Sequence, residues 1–413
     1  MTTPRSRPRS GLRDPMGGFS ILTLMKDEGP RILEWLAYHR LIGFDRIWIY
    51  SNDCRDGSDA VLDRLDEMGL CRHLPNDVPP GKKPQPHALT LGQRNAALLA
   101  TDWLIVMDAD EFVHVKTGEG RISDLIAACP EDTGGVAINW RMMGSNGLVD
   151  WSDDPVLGQF RRGAPDGFRK GWGVKTLFRP YADVKLGIHR PTVKGARRDG
   201  KRMARLKSLG WVNGSGVPLP PSFMADGWRG SAATLGRDLA EIAHFAVQSR
   251  EAYMLRGDRG NVNLKPDKYD ATYFAVFDRN EVDLPGLSRW SARVAAQVAD
   301  WLTDRDLARR HDATRRWHRA RLETLRASPH WAQAMAALGR AAEVPYDALD
   351  DLLFIQPLAP AGKKMVADMQ ARGVPDPAIA KAVARSVSRL EQARDAREAE
   401  ELRQMGITPP AGV

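Results

Sequence analysis

The 413 residues are 43% hydrophobic and 27% charged, with a mean hydropathy of −0.40, which excludes disorder over most of the length and offers no apolar run approaching a bilayer span. Sixty Lys and Arg against 52 Asp and Glu leave a net charge of +8, so an anionic partner is expected: nucleic acid, sugar nucleotide or membrane surface. Three cysteines without a CxxC pair argue against a disulfide framework or a structural zinc site and fit a reducing cytoplasm.

The first eighteen residues carry four arginines and no secretory apolar stretch, and read as a solvated basic tail. FSILTLM at 19–25 is a continuous apolar run, the signature of a buried strand. From Arg31 to Leu41 the apolar spacing is helical, with Gly43 as its closing residue. RIWIYS at 46–51 reads as a second strand that ends in the turn-forming NDCRDGS, and a helix follows over Asp59–Met68. This βαβ pattern predicts an α/β protein with a mostly parallel, Rossmann-like sheet. Residues 75–90, with five prolines, are expected to be a loop over the strand ends, leading into a helix at Leu91–Ala100 and a buried strand over 104–107. Residues 134–140 and 173–179 read as strands, 141–172 as irregular, and the sequence after Trp290 and over 376–405 as helical. A basic segment, 161–207, holds fifteen Lys and Arg against three Asp, enough to track a phosphate backbone or an acidic glycan.

The most informative segment is Asp108, Ala109, Asp110, Glu111, directly after the apolar strand. Mg²⁺ and Mn²⁺ take hard oxygen ligands, and alternate carboxylates leaving a strand can grip a cation that also holds a diphosphate. A helix N-cap cluster or a solvated turn would use the same residues. Lys26 and Glu28 follow the first strand, at the carboxyl edge where a nucleotide lies in open α/β sheets.

In order, LMKDEG, LEWLAYHRLIGFD, IWIY, SNDCRDGS, QRNAAL and DWLIVMDADEFV resemble the family 2 glycosyltransferases of the GT-A fold, especially a bacterial branch similar to the family 92 enzymes. The resemblance runs from residue 19 to about 263. It implies a GT-A domain over 19–285 followed by a helical C-terminal region, 286–413, and transfer, with inversion, from a nucleoside diphosphate sugar, a UDP-sugar being favoured. The acceptor would be a surface glycan, a lipid-linked precursor or a protein. Relatives carry an acidic residue where Ser51 stands here; Asn52, Asp53 and Asp56 remain for the ribose or base, and Arg94 of the QRN segment would face the phosphate or base. A late histidine in such enzymes supplies a third ligand for Mn²⁺ or Mg²⁺ beside Asp108 and Asp110, here His244, with His189 as the rival; Arg256 or Arg259 would neutralise the leaving diphosphate. Asp150, Asp153 and Asp154, after the glycine-bearing loop 144–147, are candidate bases for the acceptor hydroxyl, and Asp226 is a later one.

Two other functions compete. A nucleotidyltransferase also uses strand-end carboxylates, although LMKDEGP is not a Gly-rich phosphate loop. An anionic-glycan or nucleic-acid binding protein would use 161–207 but leaves the DAD strand unexplained, so nucleic acid is not favoured. The cytoplasmic chain could also meet the inner face of the membrane through Arg309, Arg310, Arg315, Arg316, Arg319 and Arg321 with Trp301 and Trp317, unless this face packs back on the catalytic domain.

Overall fold

A computed structural model describes residues 18–225, 228–260, 269–348 and 367–410. The basic tail, up to residue 17, and the late base candidate Asp226 lie outside the described residues. In chain order the first half runs β1 (Phe19–Met25), α1 (Gly29–Leu41), β2 (Arg46–Ser51), α2 (Ser58–Glu67), β3 (Arg72–Pro75), α3 (Pro84–Arg94), α4 (Ala96–Leu99), β4 (Trp103–Val106), β5 (Glu111–Val115), α5 (Ile122–Ala127) and β6 (Gly135–Met142). Next come α6 (Val156–Gln159), β7 (Arg162–Gly163), β8 (Val174–Phe178), β9 (Val184–Lys185), β10 (Thr192–Val193), α7 (Gly200–Lys207), β11 (Trp211–Asn213), α8 (Pro221–Ala225), β12 (Ala240–His244), α9 (Arg250–Arg259) and α10 (Ala271–Phe277). The chain closes with β13 (Val282–Asp283), α11 (Ser291–Trp301), α12 (Arg305–Arg326), α13 (Trp331–Ala342) and α14 (Asp376–Gln404).

Nine of these strands form one sheet, ordered β3-β2-β1-β4-β8-β6-β12-β5, with β11 also on β6. β1 pairs in parallel with β2 and β4, as β2 does with β3. The expected GT-A-type, Rossmann-like architecture is therefore found, with two antiparallel departures: β8 opposes both β4 and β6, and β5 opposes β12. Apolar β1 and β4 are covered on both faces, which is why they read as unbroken runs. α1 buries Ile32, Leu33, Trp35, Leu36 and Tyr38 beneath the sheet, and Trp35 Nε1 and Tyr38 Oη donate to the carbonyls of Glu111 and Val113, tying α1 to β5.

The proline-rich loop is shorter than expected. α3 begins at Pro84, because a proline in the first turn forfeits no helical hydrogen bond, and it breaks at Asn95, whose side chain caps α4.

The Arg-rich C-terminal face packs back on the domain, one of the two courses expected of it. α12 lies on α1, α2 and α9. Arg315 and Arg319 pair with Asp153, Arg321 with Asp258, Arg326 with Glu251, and Arg64 of α2 with Asp304. Arg310 donates to the Ala60 carbonyl, while Arg309 and Arg316 pair with Asp306 and Asp312 of α12 itself. The arginines offered as a membrane contact are thus engaged with the domain or with their own helix. Close approach of the two helices is possible because residue 29 is glycine: a Cβ there would stand 2.3 Å from Thr314 Cβ. α14 seals another edge, its fully buried Glu398 accepting hydrogen bonds from Ser231 and Thr234. Among the described residues, no helix is long and apolar enough to cross a membrane.

Candidate active site

Chain order reverses between β1, which leads through α1 to β2, and β4, which arrives from β3 on the other side. Open α/β sheets bind ligands at such a switch point, outside the carboxyl ends of the strands. The Asp108–Asp110 turn occupies this place, between β4 and β5. β5 then pairs antiparallel with β12, and the register sets His244 opposite Glu111, with Phe245 N donating to the Asp110 carbonyl at 2.8 Å. A histidine 134 positions away in sequence so comes to face the turn, its Nε2 at 3.4 Å from Asp110 Oδ2.

Each carboxylate has a cation. Arg256 of α9 reaches Asp110 Oδ2 at 2.6 Å, and Lys175 of β8 stands 3.1 Å from Asp108 Oδ2 and 3.4 Å from Glu111 Oε2 while also donating to the Ile188 carbonyl at 3.0 Å. Burial alone would raise the Asp110 carboxyl, but Arg256 and His244 outweigh it and hold it well below the ordinary range. Asp108 is also lowered: burial opposes, and Lys175 prevails. Glu111 goes the other way. It is fully buried between Trp140 Nε1 and the Asp108 N–H, and desolvation pushes its carboxyl up to about 7 in spite of Lys175. Lys175 itself stays firmly charged, because its two carboxylates outweigh its burial.

The anticipated residues divide between those brought to this centre and those kept elsewhere. Asp108, Asp110, His244 and Arg256 converge. Lys26 and Glu28 stand at the adjacent end of β1, where Arg259 pairs with Glu28 and donates to the Lys26 carbonyl. His189 is set against the rings of Trp228, at 4.4 Å, and Trp140, and burial followed by the Lys175 charge lowers it to about 3. Between the two histidines, His244 is the one in contact with Asp110.

Asp56 is not available to a ribose: fully buried, it accepts from Gly29 N at 3.0 Å, Ser58 N at 2.8 Å and His318 Nε2 at 2.9 Å, so it anchors the start of α1. Ser51, which replaces the acid of the relatives, shares a 2.7 Å hydrogen bond with His73, itself held by Asp63. Asn52 donates to Asp53, which is exposed at a φ of +48°. Arg94 ends α3 with its side chain exposed. Of the candidate bases, Asp153 is claimed by Arg315 and Arg319, which overcome its burial and lower it; Asp154 accepts from Ser152; Asp150 is exposed. A carboxylate held between two guanidiniums is a weak proton acceptor.

Sequence reasoning overlooked Lys175 and Gln85, whose Nε2 donates to Asp108 Oδ1 at 2.8 Å. A lysine inside the otherwise apolar VKTLF strand was a usable signal for the first; nothing local marks the second.

Asp108 and Asp110 are hard oxygen ligands, His244 Nε2 faces Asp110, and His244 Nδ1 is buried without a hydrogen-bond partner among the described residues. No group of three His, Cys, Asp or Glu side chains among the described residues encloses an ion unaided. A cation at this turn would have to draw further ligands from phosphate oxygens, the usual habit of Mg²⁺ beside nucleotides.

Residues 23–196 match the model of glycosyltransferase family 92. The matched segment runs from the end of β1 through β10 and contains the whole Asp108–Glu111 turn. Two family 92 glycosyltransferase proteins are similar to this chain, one of Ricinus communis at 32% identity over 117 residues and one of Oryza sativa subsp. japonica at 31% over 111. These alignments cover 27% and 26% of this chain, which spans only about a fifth of those relatives, 20% and 18%. Among solved structures, S. aureus TarS 1-349, free and in complex with UDP, aligns over 84% of this chain and 87% of that one at 11% identity and a TM-score of 0.28, a likeness too slight to bear on function.

Proposed function

We propose that the protein is a metal-dependent glycosyltransferase that moves a sugar from a nucleoside diphosphate donor, a UDP-sugar by preference, to a glycan, lipid-linked or protein acceptor with inversion. Kinship with the bacterial family 2 enzymes is part of the same reading. The observation that carries it is the Asp108–Asp110 turn at the β1/β4 switch point, inside the family 92 segment and faced by His244 and Arg256.

Departure of a nucleoside diphosphate separates charge, so the site must stabilise an anion and accept a proton from the acceptor. Asp108, Asp110 and His244 would hold Mn²⁺ or Mg²⁺, which supplies Lewis-acid neutralisation of the diphosphate. Arg256 and Arg259, one turn apart on α9, add permanent positive charge that forks onto phosphate oxygens. Lys175 keeps Asp108 ionised and correctly oriented from behind. Asp150, exposed and claimed by no α12 arginine among the described residues, is the freest proton acceptor of the three candidates, and Lys26 and Asn52 are donor contacts at the ends of β1 and β2.

Calorimetric titration with UDP and GDP, with Mn²⁺ present and then chelated, tests the reading. Metal-dependent binding of one nucleotide, lost in the Asp108→Ala, Asp110→Ala double variant, is expected. Equal binding by wild type and the double variant would refute it. Nucleotidyl transfer would instead show as pyrophosphate release from a nucleoside triphosphate. The nucleic-acid reading is weakened by how the basic segment is used: Lys175 serves the turn, Arg190 donates to the Phe223 and Met224 carbonyls, and Arg205 pairs with Asp183.

A further inference from the structure

A concavity of roughly 600 Å³, open solvent included, lies between the loop after β1, α9 and α12. Its charged lining is Arg31, Arg55, Arg256 and Arg259 with Asp27 and Glu28. Arg55 pairs with Asp27 and Asp258, Arg256 with Asp110 and Arg259 with Glu28, whereas Arg31 donates to the Ser152 and Asp154 carbonyls and has no carboxylate in contact among the described residues. Its aromatic lining is continuous: the His318 ring is parallel to Trp151 at 6.2 Å and 10°, and edge-on to Trp317 at 5.2 Å, while the Arg55 guanidinium covers Trp317 at 5.5 Å. Trp317 and His318 come from α12 and Arg256 and Arg259 from α9, all outside the segment that matches family 92.

Two further features mark the place as built for a ligand. Asp27 and Gln248, both in its lining, hold positive φ of +48° and +54°, a conformation that non-glycine residues adopt at a cost and that clusters at binding sites. Arg256 is in contact with Asp110 through one terminal nitrogen, but its Nε is buried with no acceptor among the described residues, a donor that a ligand oxygen would satisfy. The lining does not include Asn52, Asp108 or any residue of α3, and it reaches the Asp108–Asp110 turn only through Arg256. A donor nucleotide seated at the switch point would share Arg256 and Arg259 with this space and leave its Trp151, Trp317 and His318 side free.

We infer that this pocket is the acceptor subsite, and that its occupant is an acidic saccharide; the inference rests on the glycosyltransferase reading above. A pyranose has an apolar C–H face and a rim of hydroxyls, and the half-buried indole of Trp317, joined to Trp151 through the His318 ring, matches the first as the flanking guanidiniums and carboxylates match the second. Arg31, a guanidinium held by backbone carbonyls with no carboxylate in contact among the described residues, selects a sugar that bears phosphate or carboxylate. α12 is then a specificity element, docked through Asp56–His318 and the arginine pairs, and Trp317 is a substrate-binding residue.

The full-length protein is titrated, by tryptophan fluorescence and saturation-transfer NMR, with glucose, galactose and mannose 1-phosphates, glucuronic acid, methyl α-glucoside and UDP. Wild type is expected to bind a hexose phosphate or the uronic acid, the stronger of the two naming the anion, and to bind the neutral glycoside about tenfold more weakly. Trp317→Ala is expected to weaken the acidic sugar by about tenfold, and Trp317→Phe, which keeps a ring, by much less. UDP affinity is expected to stay unchanged in both and attests to folding. No binding of any acidic sugar by wild type, equal binding by Trp317→Ala, or loss of UDP in place of sugar would each overturn the inference. Absence of UDP binding by wild type with an acidic sugar still bound would overturn the glycosyltransferase reading, and with it the role of acceptor subsite, whereas the saccharide site itself is read independently by the sugar titration.

Discussion

Lys175→Met removes the ammonium that neutralises Asp108 and Glu111 while keeping the length of the side chain. Lys175 and Glu111 are both fully buried. Breaking such a pair by deleting one partner costs about 3–5 kcal/mol, because the other charge is left without compensation. Glu111 offers a partial escape. Its carboxyl is already raised to about 7 by desolvation, with Lys175 the strongest influence in the opposite direction, so the variant carries it higher still. A carboxyl raised in the folded state contributes stability that is complete below the unfolded value of 4.5 and is lost as pH rises through the folded one, at about 1.4 kcal/mol per unit. In wild type this loss ends near pH 7. In the variant it continues, and between pH 7 and 8.5 should amount to roughly 2 kcal/mol more. Urea denaturation of wild type, Lys175→Met and the Lys175→Met, Glu111→Gln double variant at pH 6, 7 and 8.5 reads this directly, and the double variant should lose the extra slope. A cost below about 1 kcal/mol, or one that is flat between pH 7 and 8.5, would refute the buried ion-pair account.

His39, His189 and His311 are buried neutral, lowered by desolvation to about 3, 3 and 4. Imidazoles depressed in the fold stabilise it above the unfolded value of 6.5 and stop doing so as pH falls, while Glu111 gains in the same window; the net uptake of about two protons predicts a loss of roughly 2.7 kcal/mol per unit between pH 6.5 and 5, measurable as a falling urea midpoint and contradicted by an unchanged one. Asp56→Ala should cost about 2–3 kcal/mol in denaturant, since it strands the Gly29 and Ser58 N–H groups, and should leave UDP affinity intact; a large change in UDP affinity with intact stability would restore Asp56 to the donor site. Gly29→Ala should cost about 1–3 kcal/mol and expose α12 to limited proteolysis, because the new methyl overlaps Thr314; a neutral result would show that the α1–α12 contact is looser than drawn.

What the sequence determined by itself was local. Period and composition gave β1, α1, β2 and α2 to within a residue or two at either end, because a two-faced buried strand and an amphipathic helix declare themselves in consecutive residues. The DAD turn was legible for the same reason: its chemistry is contained in four neighbours. Tertiary structure decided what stands opposite them. The antiparallel register of β5 on β12 brings His244 to Asp110, and the reversed course of β8 delivers Lys175 to Asp108 and Glu111; no spacing in the chain encodes either meeting. Asp56 looked like a ligand contact because its loop resembles one, yet burial and three donors make it an anchor. The arginines of α12 looked like a free basic face because net charge is visible in a sequence and its partners are not: Asp153, Glu251 and Asp258 lie 63 to 166 residues away and meet them only once the helix has docked.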